Sequence, residues 1–238
     1  MQLKISEYPT HAVKWPIMFQ CWNRLTFLHW RYQPEFIRGL LPRHLILDTF
    51  DGAAWVGLTP FLLTGLRPPW FPALPWVSQF PEMNVRTYVV GPDGERGIWF
   101  FSLEADRLAA VAAARLSYGL PYRWASMSVR FDPGQVEYTS QRHFDRGEAH
   151  IVIRRESPIQ PGERDLFLTA RFRLYTRIAG RLAYAQVEHP PWPLESAHVV
   201  KLNQNVIKSS NIPAPVGEPL VHFSPGVDVR IGRPVLLR

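Results

Sequence analysis

The stretch Arg115-Leu-Ser-Tyr-Gly-Leu-Pro-Tyr-Arg-Trp-Ala-Ser-Met127 decides how the chain is read. It closes a helix and opens a strand within a few residues. Upstream, Asp106 is a natural N-cap, and Leu108, Val111, Ala112 and Leu116 recur at helical spacing. Gly119 supplies a C-cap and Pro121 forbids continuation. From Tyr122 the pattern changes to period two, with Trp124, Ser126, Ser128 and Arg130 alternating against Ala125, Met127, Val129 and Phe131. Tyr122 and Arg123 therefore stand at a rigid helix-to-strand boundary, a position suited to chemistry. The plainer alternative keeps them as strand residues, the tyrosine packed and the arginine solvated.

Outward from this step, strands dominate. Residues 17–30 read as one long strand, with Trp22, Arg24 and Thr26 on one face and His29 on the other. Pro34 opens a short helix, 35–41, that Pro42 stops. Strands are expected at 44–50 and 53–62. The Pro-rich segment 65–81 should be an ordered, exposed loop or lid. Two apolar runs, 84–90 and 97–103, flank Gly91-Pro-Asp-Gly94 and read as a hairpin. After the helix 106–118, two or three strands fill 122–155. A helix over 165–176, a strand over 181–189, a short helix near 195–209 and a last strand over 220–230 complete the chain. The fold class is α+β, mainly antiparallel β, with one closed or nearly closed sheet in a single domain spanning 1–238.

Composition narrows the function. Of 238 residues, 46% are hydrophobic, enough for a substantial core, and 9 Trp, 8 Tyr and 14 Phe favour strands and deep pockets. The net charge of +7 rests almost wholly on arginine, since only Lys4, Lys14, Lys201 and Lys208 are lysines. The arginines are dispersed. Even Arg171, Arg173 and Arg177 follow closely on Glu163 and Asp165, so no nucleic-acid partner is expected. Guanidinium groups do suit a carboxylate or phosphate, and an anionic small-molecule ligand is the expected partner. A single cysteine, Cys21, excludes an intramolecular disulfide. No basic-then-apolar leader and no membrane-length apolar run occur, so a cytoplasmic protein without a membrane partner is expected. A homo-oligomer is left open.

No phosphate loop, dinucleotide fingerprint, nucleophile elbow or paired-cysteine motif is present, and the eight histidines are scattered. No metal and no cofactor are expected. Glu82, Asn84, Arg86 and Tyr88 share one strand face. That face is either solvated or lines a cavity, and Glu82 directly follows the Pro-rich loop.

These residues carry a resemblance. The chain resembles the uncharacterised bacterial YqjF-like family nearly end to end. The match rests on Leu25-Thr-Phe-Leu-His-Trp30, Leu41-Pro42, Asp51-Gly-Ala-Ala-Trp-Val-Gly57, Glu82-Met-Asn-Val-Arg-Thr-Tyr-Val89, Gly97-Ile-Trp-Phe-Phe-Ser-Leu103, Ala114-Arg115 and Leu120-Pro-Tyr122. Further along, Phe167-Leu-Thr-Ala-Arg171, His189-Pro-Pro-Trp-Pro-Leu194 and Phe223-Ser-Pro-Gly-Val-Asp-Val229 extend it. The family looks like a distant relative of acetoacetate decarboxylase, which implies a cone-shaped β-barrel with a central cavity and a few helices. In the decarboxylase a helix ends in Gly-Phe-Pro followed by two lysines, the first forming a Schiff base. Here Gly119-Leu-Pro121 resembles that step, and Tyr122 and Arg123 occupy the lysine positions. Glu82 resembles the acidic active-site residue, and Arg24 matches a carboxylate-binding arginine across a one-residue gap. A phenol or guanidinium forms no Schiff base. The resemblance therefore implies Glu82 and Tyr122 as catalytic groups and Arg123 and Arg24 as substrate-binding groups, and the shared strand face adds Asn84 and Arg86 to the substrate-binding set. The implied function is a lysine-free hydratase, isomerase or lyase acting on a small carboxylate or carbonyl compound. The alternative is a non-catalytic binding protein on the same barrel.

Overall fold

The computed structural model describes residues 5–237 except 109–110, 112–114 and 116. Its strands are β1 (Pro16–Tyr32), β2 (Ile46–Leu47), β3 (Ala54–Arg67), β4 (Phe80–Val90), β5 (Arg96–Ala105), β6 (Tyr122–Asp132) and β7 (Gln135–Arg142). They continue with β8 (Glu148–Pro158), β9 (Arg173–Ile178), β10 (Arg181–Glu188), β11 (Glu195–Gln204), β12 (Leu220–Gly232) and β13 (Val235–Leu236). Helices at Pro34–Arg38 and Glu163–Thr169 interrupt them.

Among the described residues, all thirteen strands form one sheet, which closes on itself. The order β5-β6-β7-β8-β11-β12-β1-β3-β4, completed by pairing of β4 with β5, makes a ring of nine strands. β9 and β10 bridge β5 to β12 and make a second, smaller ring on the same strands. The segment β12-β1-β3-β4-β5 is thus a wall shared by both rings. Its two faces feed two cores. Phe27, Trp55, Tyr88, Leu174 and Val187 pack in the smaller ring. Leu28, Trp30, Leu58, Met83, Tyr138 and Ile151 pack in the larger. A wall buried on both faces must be apolar along its whole length rather than alternating. This accounts for Ala54–Phe61, all eight residues of which are buried.

A bulge sets which β1 side chains face which core. Arg24 has φ 51°, and the pairing of β1 with β3 shifts register between Asn23 and Leu28. One extra residue reverses the alternation. Met18, Gln20 and Trp22 point into the smaller ring before the bulge, and Leu25 and Phe27 do so after it. Thr26 turns to the other side, where its hydroxyl meets that of Tyr138 at 2.8 Å. The uniform alternation expected from the sequence, with Trp22, Arg24 and Thr26 together, is corrected accordingly. Opposite the bulge, Gly226 adopts φ 139°, and a Cβ there would lie 2.4 Å from the Trp22 carbonyl oxygen.

Other expectations change too. The helix beginning at Glu163 stops at Thr169, residues 170–172 are irregular, and 173–176 of the expected 165–176 helix belong to strand β9. The alternation in Arg173-Leu-Tyr-Thr-Arg-Ile178 serves a ladder with β10 and closes the smaller ring. Likewise 195–204 is strand β11, joining β8 to β12, and only Lys208–Ser210 forms a helical turn. In both places the need to complete a ladder outweighs helix propensity. The strand at 44–50 shrinks to Ile46–Leu47.

The hairpin stands as expected, Gly94 donating to the Gly91 carbonyl at 3.0 Å. Leu108, Val111, Arg115, Ser117 and Tyr118 are helical, whereas Ala112 and Leu116 lie outside the described residues. Gly119 ends this helix at φ 63°, and the Pro121 carbonyl accepts from Leu103 at 3.2 Å, delivering Tyr122 alongside β5. A Cβ at Gly119 would lie 2.1 Å from the Arg177 carbonyl oxygen. Gly119→Ala is therefore expected to cost about 2–3 kcal/mol. Urea denaturation checks it, and an unchanged midpoint would contradict it.

Candidate functional site

Within the smaller ring lies a partly open cavity of about 150 Å³, room for a ligand of about six heavy atoms. Its walls are chiefly apolar, drawn from β1, β3, β4, β5, β9 and β10. The helix-to-strand step contributes Tyr118, Leu120 and Tyr122. Polar groups are few: Gln20, Glu82, Arg86, Ser117, Tyr122, Thr169, Arg171 and His189.

Glu82 and Tyr122 meet. The Tyr122 hydroxyl donates to Glu82 Oε2 at 2.9 Å. Glu82 is only 5% exposed. Burial pushes its carboxyl up to about 8, opposed by the Tyr122 hydrogen bond and reinforced by the Glu104 charge. At neutral pH Glu82 is a carboxylic acid, able to donate a proton into the cavity. Burial and the neighbouring Glu82 hold the Tyr122 phenol well above its ordinary value, so it too is a donor. Glu104 itself faces the other ring, where Arg142 Nε donates to it at 2.8 Å and Ser102 hydrogen-bonds to it at 2.6 Å.

Arg86 lies four residues along the same β4 face, about 13 Å from Glu82 at strand rise. Its Nη2 donates to the Leu168 carbonyl at 3.3 Å, and its Nε has no partner among the described residues. Its guanidinium rests 5.2 Å from the Phe27 ring centroid. No carboxylate pairs with Arg86 among the described residues. Arg171 is different: Asp48 binds it at 2.7 Å, while also binding Arg96 at 2.8 Å. One carboxylate thus serves two guanidiniums. The histidines add no further positive charge. Burial holds His189 at about 4 and His29 well below its ordinary value. With Glu82 neutral, the cavity carries a surplus of positive charge.

The end of the helix Glu163–Thr169 positions these groups. Its last carbonyls accept from Arg171 Nε (Phe167, 2.8 Å), the Tyr88 hydroxyl (Leu168, 2.7 Å) and Trp192 Nε1 (Thr169, 3.1 Å). Because Tyr88 gives its only proton to Leu168, His29 Nε2 must donate to the Tyr88 oxygen at 2.6 Å. Cationic and N–H donors at a helix C-terminus are favourably placed.

The remaining expected site residues fall elsewhere. Asn84 is buried between Glu82 and Arg86 on the same face, with Oδ1 unpartnered, but does not border the cavity. Arg123 is exposed on β6, one residue out of phase with Tyr122. Arg24 is carried away by the bulge and lies 4.7 Å from the Phe131 ring centroid. Arg171 and His189 border the cavity unforeseen, as does Trp192, stacked on Trp22 at 6.2 Å. Only their occurrence in Phe167–Arg171 and in His189-Pro-Pro-Trp-Pro-Leu194 could have marked them. Arg171 and Arg173 are buried beside Asp48 and Asp93, so they form no surface patch with Arg177. Among the described residues, no cluster of three or more His, Cys, Asp or Glu is placed to hold a metal, and no helix is long and apolar enough to cross a membrane.

With this geometry, comparison with other proteins is informative. The profile of DUF2071, a family of uncharacterized conserved proteins, matches residues 19–228. The chain belongs to this family. It is 39% identical over 217 residues to the uncharacterized protein YqjF of Bacillus subtilis, covering 90% of this chain and 89% of that protein. Among solved structures it is similar to acetoacetate decarboxylase from Legionella pneumophila, with TM-score 0.66, 15% identity and coverage of 100% and 92% of the two chains. The enduracididine biosynthesis enzyme MppR complexed with pyruvate gives TM-score 0.67 at 15% identity, covering 96% and 93%. The fold is thus the acetoacetate decarboxylase-like β-barrel.

Linkage gives a direct check on Glu82. Its folded value, about 8, exceeds its ordinary 4.5. Between these values the unfolded chain releases this proton and the folded chain keeps it, so the group costs stability as pH rises. Glu82→Gln keeps an acceptor for Tyr122 but does not titrate. The variant is expected to gain on the wild type by about 1 kcal/mol per pH unit between pH 5 and 8. Urea denaturation of both across that range reads this out, and parallel curves would contradict it.

Proposed function

We propose that the cavity receives a small carboxylate that also carries a carbonyl or alkene, and that the protein is a lysine-free hydratase, isomerase or lyase. The observation carrying this reading is the buried Tyr122–Glu82 hydrogen bond beside a chiefly apolar cavity that Arg86 also borders without a carboxylate partner among the described residues. In this reading Arg86 anchors the carboxylate. Protonated Glu82, held by the Tyr122 hydroxyl that donates to it, hydrogen-bonds the substrate oxygen or delivers a proton to the reacting carbon, and the chiefly apolar walls limit competing water. The likeness to a pyruvate-complexed neighbour supports a small oxo acid as the ligand class. Imine chemistry has no support, because no lysine borders the cavity among the described residues.

Two measurements follow. Calorimetric titration with acetoacetate and butanoate should show binding that Arg86→Gln weakens at least tenfold (roughly the 1.5–3 kcal/mol of a charge-assisted contact). Equal affinity in the variant would remove Arg86 from the reading. Borohydride with acetoacetate should leave the intact protein mass unchanged. An adduct mapped to a lysine would restore Schiff-base chemistry. Turnover of oxo or unsaturated acids that Glu82→Gln abolishes would mark an enzyme, whereas binding without turnover would mark a binding protein.

A further inference from the structure

The cavity does not end at its own wall. Met18 and Leu66, both half-buried, border it on one side and on the other border a surface groove of about 470 Å³. The groove runs between the start of β1 and the Pro-rich loop. Besides Met18 and Leu66 it is lined by Ile17, Phe71, Leu74 and Val77, with three further loop residues, Pro68, Pro72 and Ser78, and Arg67. Phe71 and Leu74 are 66% and 58% exposed, a large apolar surface to leave in water. The loop is anchored rather than loose. Ser78 accepts from the Leu74 backbone at 2.8 Å and donates to the Leu66 carbonyl at 2.6 Å. The apolar groove and the cavity are thus neighbours with Met18 and Leu66 as their common wall.

We infer that the ligand is an amphiphilic carboxylate whose head occupies the cavity and whose alkyl tail passes between Met18 and Leu66 into the groove under the Pro-rich loop. The inference rests on the small-carboxylate reading and extends it to a chain-bearing substrate class. Three features carry it: the wall of Met18 and Leu66 shared by the two spaces, the chiefly apolar lining of both, and the ionisable pair Glu82 and Arg86 in the cavity alone. A flexible methionine at the junction suits passage of a chain of variable length.

Straight-chain carboxylates from butanoate to decanoate test it, titrated calorimetrically against the full chain. The expected result is affinity rising about three- to fourfold per added methylene beyond butanoate, levelling off where the groove ends. Leu74→Glu and Phe71→Ser alter exposed positions. Both are expected to flatten the rise while leaving butanoate affinity unchanged. If butanoate binds and longer acids bind no better, the tail inference is overturned while the small-carboxylate reading stands. If no acid of the series binds, butanoate included, both fall. A flat series together with a dimer that Leu74→Glu dissociates would overturn the inference in favour of a second copy of this chain as the groove's occupant.

Discussion

Five strands that must bury both faces constrain everything else in this protein. The wall β12-β1-β3-β4-β5 belongs to two closed rings, so neither face meets water along most of its length. A side chain placed on it enters one core or the other, and a polar one must find a partner or a use. On the face toward the larger ring, Glu104 finds Arg142 and Ser102. On the face toward the smaller ring, Glu82 finds among the described residues only a phenol, and Arg86 a carbonyl and two aromatic rings. The same topology that stabilises the fold leaves these groups underpaired around a cavity. Buried and underpaired polar groups at a cavity are the usual signature of a site rather than of a core.

The bulge at Arg24 tunes this arrangement. It lets β1 present Gln20 and Trp22 to the cavity and then Leu25 and Phe27 to the apolar core, while its register with β12 holds from Met18 to His29. Trp22 stacks on Trp192, so the loop His189–Leu194 is held against β1 and closes one side of the cavity. The end of the helix Glu163–Thr169 closes another, gathering Arg86, Tyr88, Arg171 and Trp192 onto its last carbonyls.

Much of this was legible in the sequence, for identifiable reasons. The Gly119-Leu-Pro121 step is local punctuation, so it placed Tyr122 at a strand start. Period two on β4 placed Glu82 and Arg86 on one face. What was not legible is non-local. Residues 173–178 and 195–204 contain enough charged and polar residues to pass for helix, and only the ladders they complete make them strands. A single left-handed residue, Arg24, reversed an alternation that was otherwise regular. Arg171 and His189 reach the cavity from loops distant in sequence from β4, so no spacing rule connects them to Glu82. Arg123 looked equivalent to Tyr122 by adjacency, yet adjacency on a strand means opposite faces.

The central claim is that Glu82 is kept as a neutral acid by its enclosure, beside a cavity with surplus positive charge. The most direct measurement is a pH titration of the Glu82 side-chain carboxyl by ¹³C NMR of glutamate-labelled protein, assigned by its absence in Glu82→Gln. The account predicts a midpoint near 8, far from the ordinary 4.5. A midpoint near 4.5 would mean that Glu82 is an ordinary ionised carboxylate, and the proposed role of the Tyr122–Glu82 pair as proton donor would be wrong.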